Sequence, residues 1–355
     1  MTHPELSHGG YRTDLYRDFS VNVPTQADPI LIEAFGRDLD RLHRYPYIDD
    51  TALRQQYTDH IGRPVVFGNG ATQLIYAFVR ALSPREAVLF EPTFSEYRHA
   101  LYLNGTKIRA ISRFADTYRL LKSPRDVEWS TSEPDLIVLC NPNNPTGCFW
   151  EIESMYDLLS RTRAHLLLDE SFLDFVPALD HAKHHKALLQ LMECFPERIA
   201  VLRSLTKSFS IPGVRAGYLF ADPGLAERVS RQIEPWSLNR FAITALETIY
   251  RRYWLVPDRY REHRQAIDRS EERRLCTSRL EAMKGVRVYD SSANFLLFSS
   301  PFVDLNDRLH GKGFHIRSCS NFIGLGPHHY RIALLDKRDL EPLLDALAEI
   351  HGGQQ

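Results

Sequence analysis

No run of apolar residues in the chain approaches the roughly 20 that a membrane-spanning helix requires. Its apolar stretches, such as Leu136–Cys140, are strand-sized. Charge of neither sign dominates: 44 Lys and Arg face 45 Asp and Glu, a formal charge of −1, so no global field recruits nucleic acid or an acidic membrane. Cysteine is scarce. The five (Cys140, Cys148, Cys194, Cys276 and Cys319) form no CxxC pair and have no histidine at metal-ligand spacing, which reads as inert thiols in a reducing compartment. The opening residues have neither the basic stretch nor the apolar core of a secretory signal, so a cytoplasmic location is expected. Repeats at periods of roughly 20–50 residues and low-complexity segments are also lacking.

What is present is an ordinary globular composition, 43% hydrophobic and 25% charged over 355 residues. Residues 1–45 are polar and irregular and read as an arm that joins a small domain. Short apolar runs at 65–67, 87–90, 107–111, 136–140, 165–169, 199–202 and 216–220 read as buried strands. Helical patterns at 73–82 and 151–163 lie between them. Strands alternating with helices predict an α/β domain over 46–235 with a mostly parallel, seven-stranded sheet. Residues 236–355 read as a linker helix and a smaller α+β domain. One long helical stretch is expected through 251–274, strands at 286–289, 295–298 and 315–317, and a closing helix at 339–350. The stretch 251–274 holds eight arginines against five acids, interleaved as on a solvated helix face and not as a nucleic-acid patch.

Ligands of such sheets bind beyond the carboxyl ends of the strands, so the residues after each run carry the chemistry. After 65–67 comes Gly68-Asn69-Gly70-Ala71-Thr72-Gln73, which is either an ordinary turn or an anion cradle at a helix N-terminus. After 136–140 comes Asn141-Pro142-Asn143-Asn144-Pro145-Thr146-Gly147, a loop stiffened by two prolines that leaves the Asn144 amide at the sheet's edge. Asp169 ends the next strand, where a carboxylate is costly without a cationic partner. Ser204-Leu205-Thr206-Lys207-Ser208 follows the next, with Arg215 eight residues beyond the lysine. One ligand meets all four strand ends: it has a phosphate, a ring nitrogen, a phenolic oxygen and an aldehyde. That ligand is pyridoxal 5′-phosphate.

The two loops in this order resemble the fold-type I aminotransferase superfamily, class I/II, and within it the histidinol-phosphate aminotransferase branch. The resemblance implies that Lys207 forms the Schiff base and transfers protons, and that Asp169 keeps the pyridine nitrogen protonated. It implies that Asn144 donates to the phenolic oxygen, and that Arg215, Ser204, Thr206 and the backbone of Gly70, Ala71 and Thr72 hold the phosphate. Phe94 matches the aromatic that stacks on the ring; a plain core aromatic is the alternative. Tyr45, before Pro46, is similar to a tyrosine that reaches the phosphate of the neighbouring subunit, which implies a homodimer with shared sites. Phe172 stands where many relatives have tyrosine.

Three segments are similar to threonine-phosphate decarboxylases, in which phenylalanine at the 172 position is normal. They are His8-Gly9-Gly10 with Asp18-Phe19-Ser20-Val21-Asn22, the run 169–175, and the run 317–325. By that resemblance Arg331 takes the substrate α-carboxylate and Arg317 a second anion, with His8 and Asn22 closing over it; His8 as an idle terminal residue is the alternative. The expected function is therefore pyridoxal-phosphate-dependent decarboxylation of a phosphorylated or phosphonate amino acid. Aminotransfer of the histidinol-phosphate type is the alternative, and a non-catalytic cofactor-binding protein is a further one.

Overall fold

The computed structural model describes residues 9–10, 15–46, 50–114 and 133–352. Chain order gives β1 (Arg17–Asp18), α1 (Pro29–Gly36), α2 (Thr51–Ile61), β2 (Val65–Asn69), α3 (Gly70–Leu82), β3 (Glu86–Glu91), α4 (Ser95–Leu103) and β4 (Lys107–Ser112). After these come β5 (Leu136–Cys140), β6 (His165–Asp169), β7 (Ile199–Ser204) and β8 (Ala216–Ala221). The C-terminal part adds β9 (Arg287–Val288), β10 (Phe295–Ser299), β11 (Phe314–His315), β12 (Arg317–Ser318) and β13 (His329–Ala333).

All seven expected strands of the large sheet form, in the order β2-β8-β7-β6-β5-β3-β4. β3 to β7 run parallel where they pair, and β8 alone reverses, antiparallel to both β2 and β7. Leu136, Ile137, Leu166, Leu167 and Leu168 are fully buried, because helices cover both faces of the sheet. Strands buried on two sides read as continuous apolar runs and not as alternating ones. Two apolar clusters line the two faces, one around Phe67, Leu139 and Leu168, the other around Leu74, Leu89 and Leu202.

The second sheet has the order β12-β13-β10-β9, with its own core around Phe298, Ile332 and Leu344. The arm joins this part: β1 pairs in parallel with β11, and Phe19 is buried in the same core.

Two expectations need correction. The stretch 251–274 is not one helix. It breaks into a π-turn at Tyr250–Trp254 and helices at Pro257–Ile267 and Ser270–Glu281. Pro257 has no N–H to continue a helix and opens the next one, and Asp268 turns extended and caps Ser270 N–H at 3.0 Å. Nor is 315–317 one strand. Phe314–His315 pairs with the arm and Arg317–Ser318 pairs with β13. Among the described residues no helix is long and apolar enough to cross a membrane.

Candidate active site

A cavity of about 490 Å³ opens at the carboxyl edge of the large sheet, between it, the small sheet and the arm. α3 starts directly from β2, and its first turn has no side-chain cap, so its N–H groups face the cavity's edge with the positive end of the helix dipole. Gly70 sits at φ +75°, and a Cβ there would stand 2.5 Å from Nη2 of Arg215. Only glycine lets that guanidinium lie against the helix start. Ala71, Thr72 and Arg215 line the cavity.

Across from them, Ser204 and Thr206 share a hydrogen bond of 2.7 Å between hydroxyls, and Lys207 Nζ donates to Ser204 Oγ at 3.4 Å. Burial pushes the Lys207 amine below the usual lysine range. Arg215 and Arg331 add to that shift, and the Asp169 charge opposes it. The ring of Phe172 lies under the amine, 4.9 Å from Nζ. Phenylalanine there gives the lysine an apolar wall and no hydroxyl.

Asp169 ends β6 almost fully buried. Its Oδ1 accepts the Ser171 N–H at 2.8 Å and its Oδ2 the Tyr97 hydroxyl at 2.6 Å. Tyr97 lies in α4, one turn beyond Phe94, whose ring meets it edge-on at 5.6 Å. Motif reasoning missed Tyr97 because the family resemblance in this segment reaches only as far as Phe94.

The opposite wall of the cavity is built from the small sheet and the arm. Arg317 and Arg331 are directly opposed across the antiparallel β12–β13 pair, and both line the cavity. Like charges so placed repel. Burial, with Arg317 adding to it, brings Arg331 down to about 10. Arg331 Nη2 donates to the Ser20 carbonyl at 2.7 Å and Nη1 to Asn144 Oδ1, while its buried Nε has no partner. With its oxygen taken, Asn144 has its amide nitrogen left to donate. Arg317 Nη2 donates to Asn321 Oδ1 at 2.8 Å and its guanidinium stacks on Phe322. Asn22 is buried at the cavity wall with Oδ1 unpartnered.

The structure thus gathers Ala71, Thr72, Phe94, Asn144, Asp169, Ser204, Thr206, Lys207, Arg215, Asn22, Arg317 and Arg331 around one cavity, with Gly70 at its rim. Tyr45 is not among them. It is 80% exposed and packs on Trp236 with ring centroids 5.2 Å apart. His8 lies outside the described residues.

Residues 16–347 match the aminotransferase class I and II family. The chain belongs to that family. Its members are pyridoxal-phosphate enzymes, and the donors here suit the cofactor: a glycine-opened cradle for an anion, a buried carboxylate and a half-buried lysine. The chain is 34% identical to the threonine-phosphate decarboxylase of Salmonella typhimurium, over 97% of this chain and 93% of that protein. It is 28% identical to the histidinol-phosphate aminotransferase of Bacillus velezensis, over 90% of this chain and 86% of that one. The fold is shared with the histidinol-phosphate aminotransferase of Sinorhizobium meliloti, solved in complex with pyridoxal 5′-phosphate. There the TM-score is 0.76 and the identity 18%, covering 94% of this chain and 90% of that one. This class I and II member therefore has both decarboxylases and aminotransferases among its relatives.

Proposed function

We propose that the chain is a pyridoxal-phosphate-dependent decarboxylase of an amino acid bearing a second anionic group, a phosphate or phosphonate. The supporting observation is the Arg317–Arg331 cross-strand pair, because a buried guanidinium set against a half-buried one is relieved by a dianionic ligand. When bound, the cofactor supplies an electron sink for the pair released at the substrate Cα. The side chains do the rest. Lys207 holds the aldehyde end and, once displaced by substrate, moves a proton to or from Cα. Asp169 holds the proton at the ring nitrogen, Asn144 donates to the ring oxygen, and Phe94 stacks on the ring. Arg215, Ser204, Thr206 and the N–H groups of α3 hold the phosphate. Arg331 takes the α-carboxylate, and Arg317, with Asn22 and His8, takes the second anion.

Decarboxylation and aminotransfer differ in which Cα bond stands perpendicular to the ring. The test mixes enzyme with O-phosphothreonine and a panel of phosphorylated amino acids and follows CO₂ and the cofactor spectrum together. CO₂ release is expected. Stoichiometric conversion to pyridoxamine phosphate without CO₂ would move the assignment to an aminotransferase of the histidinol-phosphate type. Arg317→Ala should weaken phosphorylated substrates by roughly 1.5–3 kcal/mol, the worth of a hydrogen bond to a charged group, and spare unphosphorylated ones. Equal losses for both would make Arg317 structural.

A homodimer belongs to the same proposal. Ile32, Leu39, Leu42, Tyr45 and Trp236 are each more than half exposed, an apolar surface that a second copy covers. Tyr45 then serves the partner's phosphate site. Sedimentation should show a dimer at micromolar concentration, and Tyr45→Phe should weaken cofactor retention; an active monomer refutes both.

A further inference from the structure

The hydroxyl of Tyr97 is the shortest of the hydrogen bonds that reach Asp169, at 2.6 Å on Oδ2, and it lies in the wall of the cavity. We infer that Tyr97 is a positioning residue for the cofactor's ring nitrogen, acting through Asp169. The inference rests on the proposed role of Asp169.

Asp169 carries two oxygens and receives two donors from the protein, one on each: the Ser171 N–H on Oδ1 and the Tyr97 hydroxyl on Oδ2. The pair fixes the rotation of the carboxylate about its own axis. A carboxylate oxygen has two lone pairs, so each oxygen still has one for a further donor. The backbone N–H cannot be tuned by substitution; the phenol can. Tyr97 is 1% exposed. Burial, then the Asp169 charge, then the Cys140 thiol hold its pKa well above the ordinary phenol range, so it stays a donor throughout the working pH. Phe94, the residue assigned to stack on the ring, is the N-cap of the helix that carries Tyr97, and their rings meet at 84°. α4 therefore sets two things at once: the plane of the ring, through Phe94, and the direction of the carboxylate that meets its nitrogen, through Tyr97.

A hydrogen bond into Oδ2 withdraws electron density from the carboxylate. Without it, the carboxylate accepts the ring nitrogen's proton more strongly, and the ring carries less positive charge toward Lys207. The pH at which the visible absorbance of the holoenzyme changes should then rise. A buried tyrosine that merely satisfies its own hydroxyl would change thermal stability and leave that titration alone.

The experiment is a double-mutant cycle on the full chain with Tyr97→Phe, Asp169→Asn and the pair. Two readouts are taken: the dissociation constant of pyridoxal 5′-phosphate from dialysed protein, and the pH midpoint of the visible absorbance after reloading. Tyr97→Phe should weaken cofactor binding by roughly five- to tenfold, less than the full worth of one charge-assisted hydrogen bond because the lost bond acts through Asp169, and move the midpoint up. In the Asp169→Asn background the same change should have less than a twofold effect, because its target is gone. Tyr97→Phe with both readouts unchanged overturns the inference, as do effects that simply multiply in the double variant. Asp169→Asn with wild-type readouts overturns the Asp169 assignment itself, which separates failure of the site reading from failure of the Tyr97 role. Should Tyr97→Phe not fold, 3-fluorotyrosine at position 97 keeps the shape and strengthens the donor. The midpoint should then move down, and an unmoved midpoint overturns the inference.

Discussion

Lys207→Ala should leave a folded protein that no longer holds its cofactor covalently. Borohydride treatment of the wild type fixes the cofactor to the chain; in the variant no reduced adduct should survive denaturation. Turnover should fall by at least roughly 10²–10⁴, the range for losing a positioned proton-transfer group. Noncovalent retention is still expected, because Arg215, the α3 N-terminus and Asp169 are untouched. The same lysine sets a pH dependence. Burial among Phe172, Arg215 and Arg331 holds its amine below the ordinary lysine value near 10.4. Covalent capture of pyridoxal 5′-phosphate by cofactor-free protein needs the neutral amine, so its rate should rise with pH and reach half-maximum below that value. An adduct of unchanged yield in Lys207→Ala removes the assignment.

The second large effect concerns stability. Beside Asp169 in sequence, Glu170 points into the other side of the sheet with its side chain fully buried. Its Oε2 lies 2.6 Å from Arg203 Nη2, off the hydrogen-bonding direction, and its Oε1 lies 2.7 Å from His184 Nε2. Burial raises the Glu170 pKa, but the Arg203 guanidinium and then His184 outweigh it, and the group falls to about 2. A carboxylate so depressed contributes stability at pH values above its unfolded value near 4.3, and that contribution is lost as the pH falls toward 2. Arg203→Met should therefore cost about 3–5 kcal/mol at pH 7, because it strands a buried charge. The deficit should shrink on acidification through that window. The double variant with Glu170→Met should recover much of the loss. Denaturant titrations of cofactor-free protein at pH 7 and pH 3 check this, and a pH-independent deficit would mean that packing, not charge, is what Arg203 supplies.

The large sheet was legible because burial on both faces writes its strands as short apolar runs such as Leu136–Cys140. The loops that line the cavity were legible because each follows such a run. β13 was not. It alternates the polar His329 and Arg331 with the apolar Tyr330, Ile332 and Ala333, and its buried arginine lines the cavity and not the apolar core. β1 escaped for a different reason: two polar residues become a strand only because β11 lies beside them. Tyr97 carries no local signal, since nothing in Ser95-Glu96-Tyr97-Arg98 tells that its hydroxyl meets a residue 72 positions away. Tyr45 was placed by resemblance alone, and within one chain its phenol faces outward against Trp236.

The reversal of β8 has a consequence for how the site keeps its dimensions. β7 arrives at the carboxyl edge of the sheet at Ser204, and β8 departs from that same edge, with Ser204 opposite Gly217 in register. Segment 205–215 is thereby clamped at both ends by one ladder, and it carries Lys207 near its start and Arg215 at its end. Had β8 run parallel, the chain would have crossed to the far edge before returning, and the two cations would have belonged to separately moving parts. As built, bending or twisting of the sheet carries both together, and their spacing is held against such motion. Under the roles proposed for Lys207 and Arg215, the loop works as a caliper set to one molecule's length, from its aldehyde carbon to its phosphate.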